Sequence, residues 1–332
     1  MRRVLLTGAA GTIGYNALRQ LCAREDLEVT AFEQDTKLIR KRLASFRGMA
    51  KFVFGDIRNP EHVRVACEDV DVAIHLAAII PPAADHHPDL ARQVIVEGTM
   101  NVVRALEAAS PDAFLVYSSS ISVYGDRVAN PDIAVGDPLC PSEGDEYTKS
   151  KIAAEAVVRE SKLAWSIFRL TAIMGGHSVS PLLFHMPLQT SIEIATPEDA
   201  ARAFVNAVDH RNELAGYTFN LGGGPECRTS YEEFLTRSFQ LMGLGKVDFP
   251  EGAFATRNFH CGNFVDGDEL EQVLHFRRDT LESYFTSLRG SVSCWGKLLL
   301  RLSKKLAVIY LLRQSEPWKA WRGKTSEYER FF

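Results

Sequence analysis

The chain has 332 residues, 46% of them hydrophobic and 24% charged, which is enough for one large α/β domain or a domain with an added lobe. A net charge of −4 gives no electrostatic ground for a nucleic-acid partner. No apolar run approaches the ~20 residues of a membrane span, and the opening MRRVLLTGAAG has too short an apolar stretch for a signal peptide. The six cysteines form no C-x-x-C and read as reduced thiols of a cytoplasmic protein, and no histidine spacing points to a metal.

In chain order, apolar β-branched runs predict strands at 3–7, 28–33, 52–55, 72–75, 114–117 and 166–170, and helical patterns predict helices at 13–23, 36–46, 61–67, 88–109 and 147–162. Strands separated by helices imply parallel pairing through right-handed crossovers, hence a doubly wound α/β sheet. Its strands are apolar throughout, as expected when helices cover both faces. Beyond Leu170 the rhythm weakens. Residues 178–187 read as loop, a helix starts at Pro197 with Thr196 as its N-cap, and a strand follows at 217–221. Residues 1–175, with 196–224 returning, then form a nucleotide-binding domain, and 176–195 with 225–290 form a smaller lobe.

From Ser291 the composition turns basic, and Leu298, Leu302, Leu306, Ile309 and Leu312 recur at helical spacing among lysines, arginines and three tryptophans. This segment, 291–332, either docks by its apolar stripe on its own lobe or a partner subunit, or lies on an anionic membrane through 295–322.

TGAAGTIG sets Gly8, Gly11 and Gly14 directly after the first strand and at the start of the first helix. Gly8 permits the positive φ of an abrupt turn, Gly11 lets backbone approach a diphosphate, and Gly14 allows close helix packing. The helix N-terminus, with Thr12 and Ile13, offers free N–H groups and partial positive charge to phosphates. Glu33 lies nineteen residues after Gly14, where a carboxylate meets ribose hydroxyls and repels a 2′-phosphate. NAD is therefore favoured, with NADP left open by Lys37, Arg40, Lys41 and Arg42. Asp56 and Ile57, after the third strand, are placed for the adenine. Leu76, Ala77 and Ala78, after the fourth, have small side chains that let the rest of the dinucleotide pass.

YTKSK puts Tyr147 and Lys151 four residues apart on one helix face. A phenol with a pKa of ~10 is a poor base until a nearby ammonium favours the phenolate. YSSSISVYG, at the end of the fifth strand, supplies hydroxyls to hold a substrate oxygen.

TGAAGTIG, Asp56-Ile57, HLAA, YSSSISVYG, YTKSK and FRLTAIMGG together resemble the extended short-chain dehydrogenase/reductases, the NAD-dependent epimerase/dehydratase family, over residues 3–288. The resemblance implies a Rossmann-type fold with a C-terminal substrate-binding lobe, a nicotinamide cofactor and hydride transfer at a carbonyl or secondary alcohol carbon. It assigns Ser120, Tyr147 and Lys151 as catalytic and adds Ser118 and Ala172 to the cofactor contacts. Ile80, Ser120, Ser122 and His185 become candidates for the small-molecule substrate, while His177 and His260 are weighed as lobe histidines. A homodimer through the 88–109 and 147–162 helices is the implied assembly. Ile121 and Ser122 stand where the dehydratase branch carries Asp-Glu, so dehydration is disfavoured. No Asn follows Arg169 as in the nucleotide-sugar epimerases, and Ile95 replaces the family's usual Asn. An oxidoreductase is the leading reading. A nucleotide-sugar epimerase with tightly held NAD is the second, and a dinucleotide sensor without chemistry the third.

Overall fold

The computed structural model describes residues 1–175 and 181–332, so His177 lies outside the described residues. Seven strands build the main sheet: β1 (Arg2–Thr7), β2 (Leu27–Glu33), β3 (Lys51–Phe54), β4 (Val72–His75), β5 (Phe114–Ser120), β6 (Ala164–Leu170) and β7 (Thr218–Leu221). Their order is β7-β6-β5-β4-β1-β2-β3, every pair parallel. The order reverses between β1 and β4, and open sheets of this kind bind ligands at that crevice. Alternate residues of a strand face opposite sides. Val4 and Leu6 accordingly enter one apolar core, and Leu5 enters the other.

The first helix, Thr12–Cys22, buries Gly14, Ala17, Leu18 and Leu21 at three- and four-residue spacing. It packs against the helix Pro197–Asn206, whose N-cap Thr196 accepts a hydrogen bond from Asp199 N. The helix 197–206 thus covers the first helix of the sheet, and β7 extends that sheet.

Two helices differ from their sequence pattern. The 36–46 stretch is a short helix, Lys37–Arg42, followed by a 3₁₀ turn at Ala44–Phe46. The 88–109 stretch divides into Pro88–Arg92, a π-helical turn Gln93–Glu97 that buries Ile95, and Gly98–Ala109. Single π turns inside α-helices are found frequently at functional sites. Gly98 is there because a Cβ would stand 2.9 Å from Ile57.

The lobe holds strands that local sequence did not disclose. Ser191–Ala195 pairs antiparallel with Arg228–Ser230 and parallel with Ala172–Ile173. Asn263–Phe264 pairs with Asp132–Ile133. Each is short, and its partner is remote in the chain. Residues 294–331 form four short helices. Leu300, Ala307, Leu311 and Leu312 join the lobe core, while Ala320 and Phe331 pack on Ala255. The segment thus packs on the lobe through these residues. All six cysteines are unpaired. Among the described residues no helix is long and apolar enough to cross a membrane.

Candidate active site

The glycine loop is shaped by close approaches. Gly8 has φ +75°, and a Cβ there would lie 2.8 Å from Ala77 N. A Cβ on Gly14 would lie 2.0 Å from Gly8 O, so this glycine serves the fit of helix to loop. Glu33, at the end of β2, accepts from Ala10 N at 2.7 Å and from Gln34 N at 3.0 Å. Burial pushes its carboxyl above the usual range, opposed by those two N–H groups. Each oxygen keeps a free lone pair.

Two cavities meet at this loop. The smaller, about 140 Å³, is lined by Gly8, Gly11, Phe32, Glu33, Ile57 and Leu76, with Ala77 and Ala78 at its rim. The larger, about 350 Å³, is lined by Gly8, Gly11 to Gly14, Leu76, Ala78, Ile80, Ser118, Ser119, Ser120, Tyr147 and Lys151, with Leu170, Thr171 and Ile173. Shared residues make them one continuous cleft. Most residues singled out from the sequence therefore line a single groove at the carboxyl ends of β1, β4 and β5.

The serines belong to β5 itself, which continues to Ser120 by pairing Ser118, Ser119 and Ser120 with Phe168, Arg169 and Leu170. Ser120 Oγ then accepts from Ser122 N at 3.2 Å and opens a 3₁₀ turn. Tyr147 sits in the first turn of the helix Glu146–Arg159, which Asp145 caps by accepting from Thr148 N at 2.8 Å. Burial raises the Tyr147 phenol well above its ordinary value, with Ser120 as the neighbour that favours the phenolate. Lys151 Nζ donates to Ser118 O at 2.7 Å and lies 5.9 Å from the centre of the Tyr147 ring. Burial lowers its pKa to about 7, opposed by Glu155 one turn on. The sequence pattern implied an ammonium that activates the phenol. Here burial drives both groups toward their neutral forms, because little of either side chain is exposed.

Four expected contacts fall elsewhere. Asp56 gives both oxygens to Arg58, at 3.0 Å from Nε, and does not line the smaller cavity. Ala172 alternates away from the cleft between Thr171 and Ile173 and packs toward the lobe core, since neighbouring strand residues face opposite sides. Ser122 is fully buried behind Ser120, its hydroxyl without a partner. His185 Nε2 pairs with Glu316 Oε2 at 2.9 Å, and its ring lies on Phe331. His260 is stacked on Phe259, and burial lowers its pKa.

The structure adds groups that local sequence could not single out. His75 bridges Thr7 Oγ1 at 2.6 Å and Thr99 Oγ1 at 3.0 Å beneath the cleft, and burial lowers its pKa to about 3. Thr7 and His75 are register partners on β1 and β4. Glu155 holds Arg169 in a buried bidentate pair at 2.9 and 2.8 Å. From Arg169 a chain of hydrogen bonds runs through Tyr124 and Asn220 to Asp266 in the lobe. A polar residue at a predicted strand end was the one sequence signal for either set.

The model of the 3-beta hydroxysteroid dehydrogenase/isomerase family matches residues 5–165, just under half of the chain. Sterol-4-alpha-carboxylate 3-dehydrogenase (decarboxylating) of Schizosaccharomyces pombe is 29% identical over 53% of this chain and 51% of its own length. A 3-beta-hydroxysteroid dehydrogenase of Mycolicibacterium neoaurum is 34% identical over 47% of this chain and 42% of its own. The chain thus spans about half the length of the curated relatives it matches. Among solved structures, a short-chain dehydrogenase/reductase superfamily protein from Agrobacterium tumefaciens with bound NAD superposes with a TM-score of 0.67, at 20% identity over 92% of this chain and 100% of that one. UDP-glucuronic acid 4-epimerase from Bacillus cereus, with UDP-glucuronic acid and NAD, gives 0.71 at 17% identity over 87% and 99%. These likenesses extend through the lobe as fold.

Proposed function

We propose that this chain is a member of the extended short-chain dehydrogenase/reductases, as its family-model match and fold suggest, and an NAD-dependent oxidoreductase acting at a secondary alcohol or the matching ketone. The observation that carries the reading is that Ser120, Tyr147 and Lys151 line the same cavity as the glycine loop. The groove fits a dinucleotide. Gly11 lines it with no side chain of its own, Glu33 has lone pairs for ribose hydroxyls, and Phe32, Ile57 and Val94 offer apolar walls for an adenine. When bound, NAD supplies the hydride acceptor.

The chain's own residues hold the oxygen and move the proton. Ser120 Oγ hydrogen-bonds the substrate oxygen, and Tyr147 Oη accepts its proton during oxidation or returns it during reduction. Among the described residues lining the cavity, Lys151 is the sole cation, and the fraction of it that is protonated near its lowered pKa of about 7 favours the phenolate. With the phenol held protonated by burial, proton donation to a ketone is ready at neutral pH, and alcohol oxidation gains as pH rises. The walls toward the substrate are Ile80, Leu170 and Ile173, which suit an apolar scaffold such as the sterols and steroids of the similar dehydrogenases. Six unpaired thiols suit the cytoplasm, and the helices over 88–109 and 146–159 are the proposed homodimer face.

A second reading, a nucleotide-sugar epimerase retaining NAD, draws on the fold likeness to such an enzyme through the lobe. The test identifies the nucleotide that copurifies and follows NADH with a sterol alcohol and with a UDP-sugar. Net NADH formation with the sterol supports the first reading. Inversion of the sugar without net NADH supports the second. If neither substrate reacts and NAD does not bind, both readings fall.

A further inference from the structure

We propose that the helix pair Cys294–Leu302 and Lys304–Gln314 seats the protein on an anionic phospholipid surface. An ordinary surface helix spends its apolar stripe on its own domain. These helices do so through Leu300, Ala307, Leu311 and Leu312, yet the opposite face is apolar as well. Trp295, Leu298, Leu299, Leu302, Leu306, Ile309 and Tyr310 are exposed, Trp295 and Leu302 at 77% each. They are seven of the fifteen exposed large hydrophobic side chains among the described residues, gathered within sixteen consecutive positions. Isolated exposed apolar residues need no explanation, but a contiguous patch marks an interaction surface.

Charge selects the occupant. Residues 291–315 carry Lys297, Arg301, Lys304, Lys305 and Arg313 and no acid, within a chain of net charge −4. None of the five has a carboxylate partner among the described residues. A second copy seated on this face would set like charges against each other, whereas anionic headgroups complement the basic rim while acyl chains receive the leucines. Helices of nine and eleven residues are far too short to span a bilayer, so they lie in its interface. A tryptophan at the rim is the residue type enriched there. Docking along the inner face fixes the pair to the lobe and leaves the outer ridge free to enter the headgroup region.

The test is flotation of the full-length protein with vesicles of phosphatidylcholine alone and of phosphatidylcholine with phosphatidylserine. Binding is expected to the second vesicle and to weaken with salt. Arg301→Gln with Lys305→Gln removes two exposed, unpaired charges and is expected to weaken binding about thirtyfold. Leu298→Asp with Leu302→Asp is expected to abolish it. All four positions are exposed and outside the cleft, so NAD binding stays unchanged and certifies folding. Failure of the wild type to float with phosphatidylserine overturns the proposal, as does wild-type flotation by both double variants. A change of oligomeric state in the variants without vesicle binding by the wild type assigns the face to a second copy and overturns it equally. The flotation outcomes for the wild type do not depend on the enzyme reading, and circular dichroism certifies the fold of the variants should NAD fail to bind.

Discussion

The two walls of the cleft are built by different means. On the sheet side, each contributing residue comes at the end of a parallel strand, and strand register sets neighbours side by side, as with Thr7 and His75 or Ser119 and Arg169. On the lobe side, two- to five-residue strands meet partners from distant parts of the chain. Charged side chains tie these together. Buried Glu193 accepts from Gly224 N at 2.9 Å, Arg228 Nε at 2.8 Å and Phe264 N at 3.1 Å, and so fastens three lobe segments at once. The contrast teaches that the sheet wall depends on apolar packing and is tolerant of surface change. The lobe wall hangs on a few buried charges, and losing one partner leaves an uncompensated ion.

That contrast can be broken most severely at the chemistry. Tyr147→Phe keeps the ring and removes the proposed proton carrier, so turnover is expected to fall by a factor of roughly 10² to 10⁴ with NAD affinity unchanged. Steady-state kinetics beside a binding titration check this, and near-normal turnover in the variant would sink the assignment. Next in size is the link between the walls. Glu155→Gln leaves Arg169, 3% exposed, without its carboxylate and is expected to cost about 3 to 5 kcal/mol in urea unfolding. A loss confined to the surface-pair range would show the link to be incidental.

Smaller still is a pH effect confined to the sheet wall. His75 is neutral in the folded protein because burial depresses its pKa from 6.5 to about 3. The unfolded chain takes up that proton first, so stability is complete above pH 6.5 and declines as pH falls toward 3. Unfolding midpoints of wild type and His75→Phe, compared at neutral and mildly acidic pH, should converge as acid removes the wild-type contribution. Parallel curves would show that another group titrates. The mildest change is Glu33→Gln, which keeps hydrogen bonding to Ala10 but removes the charge. NAD is expected to weaken by about tenfold, the worth of ~1.4 kcal/mol, while the preference for NAD over NADP narrows. An unchanged preference would move cofactor choice to Arg40 and Arg42.

Much of the sheet wall was legible from residues alone. The glycine loop, the run of serines and the Tyr-x-x-x-Lys pair each state a local geometry, and parallel strands put their ends on one edge. Asp56, Ala172, Ser122 and His185 show where legibility stopped. Asp56 was claimed by an arginine two residues away, and Ala172 by strand alternation. Ser122 was enclosed by the turn that Ser120 opens, and His185 met a glutamate 131 residues later. Each outcome depends on a competitor whose distance the sequence does not state.

By itself the sequence determined the doubly wound sheet and the order of its motifs, because these follow from hydrophobic period and backbone freedom within a few residues. Tertiary structure alone decided the protonation tendencies of Tyr147 and Lys151, the buried Glu155–Arg169 tie and which face of the C-terminal helices stays uncovered. Burial and pairing are properties of neighbours brought from far along the chain, and only the packed molecule chooses those neighbours.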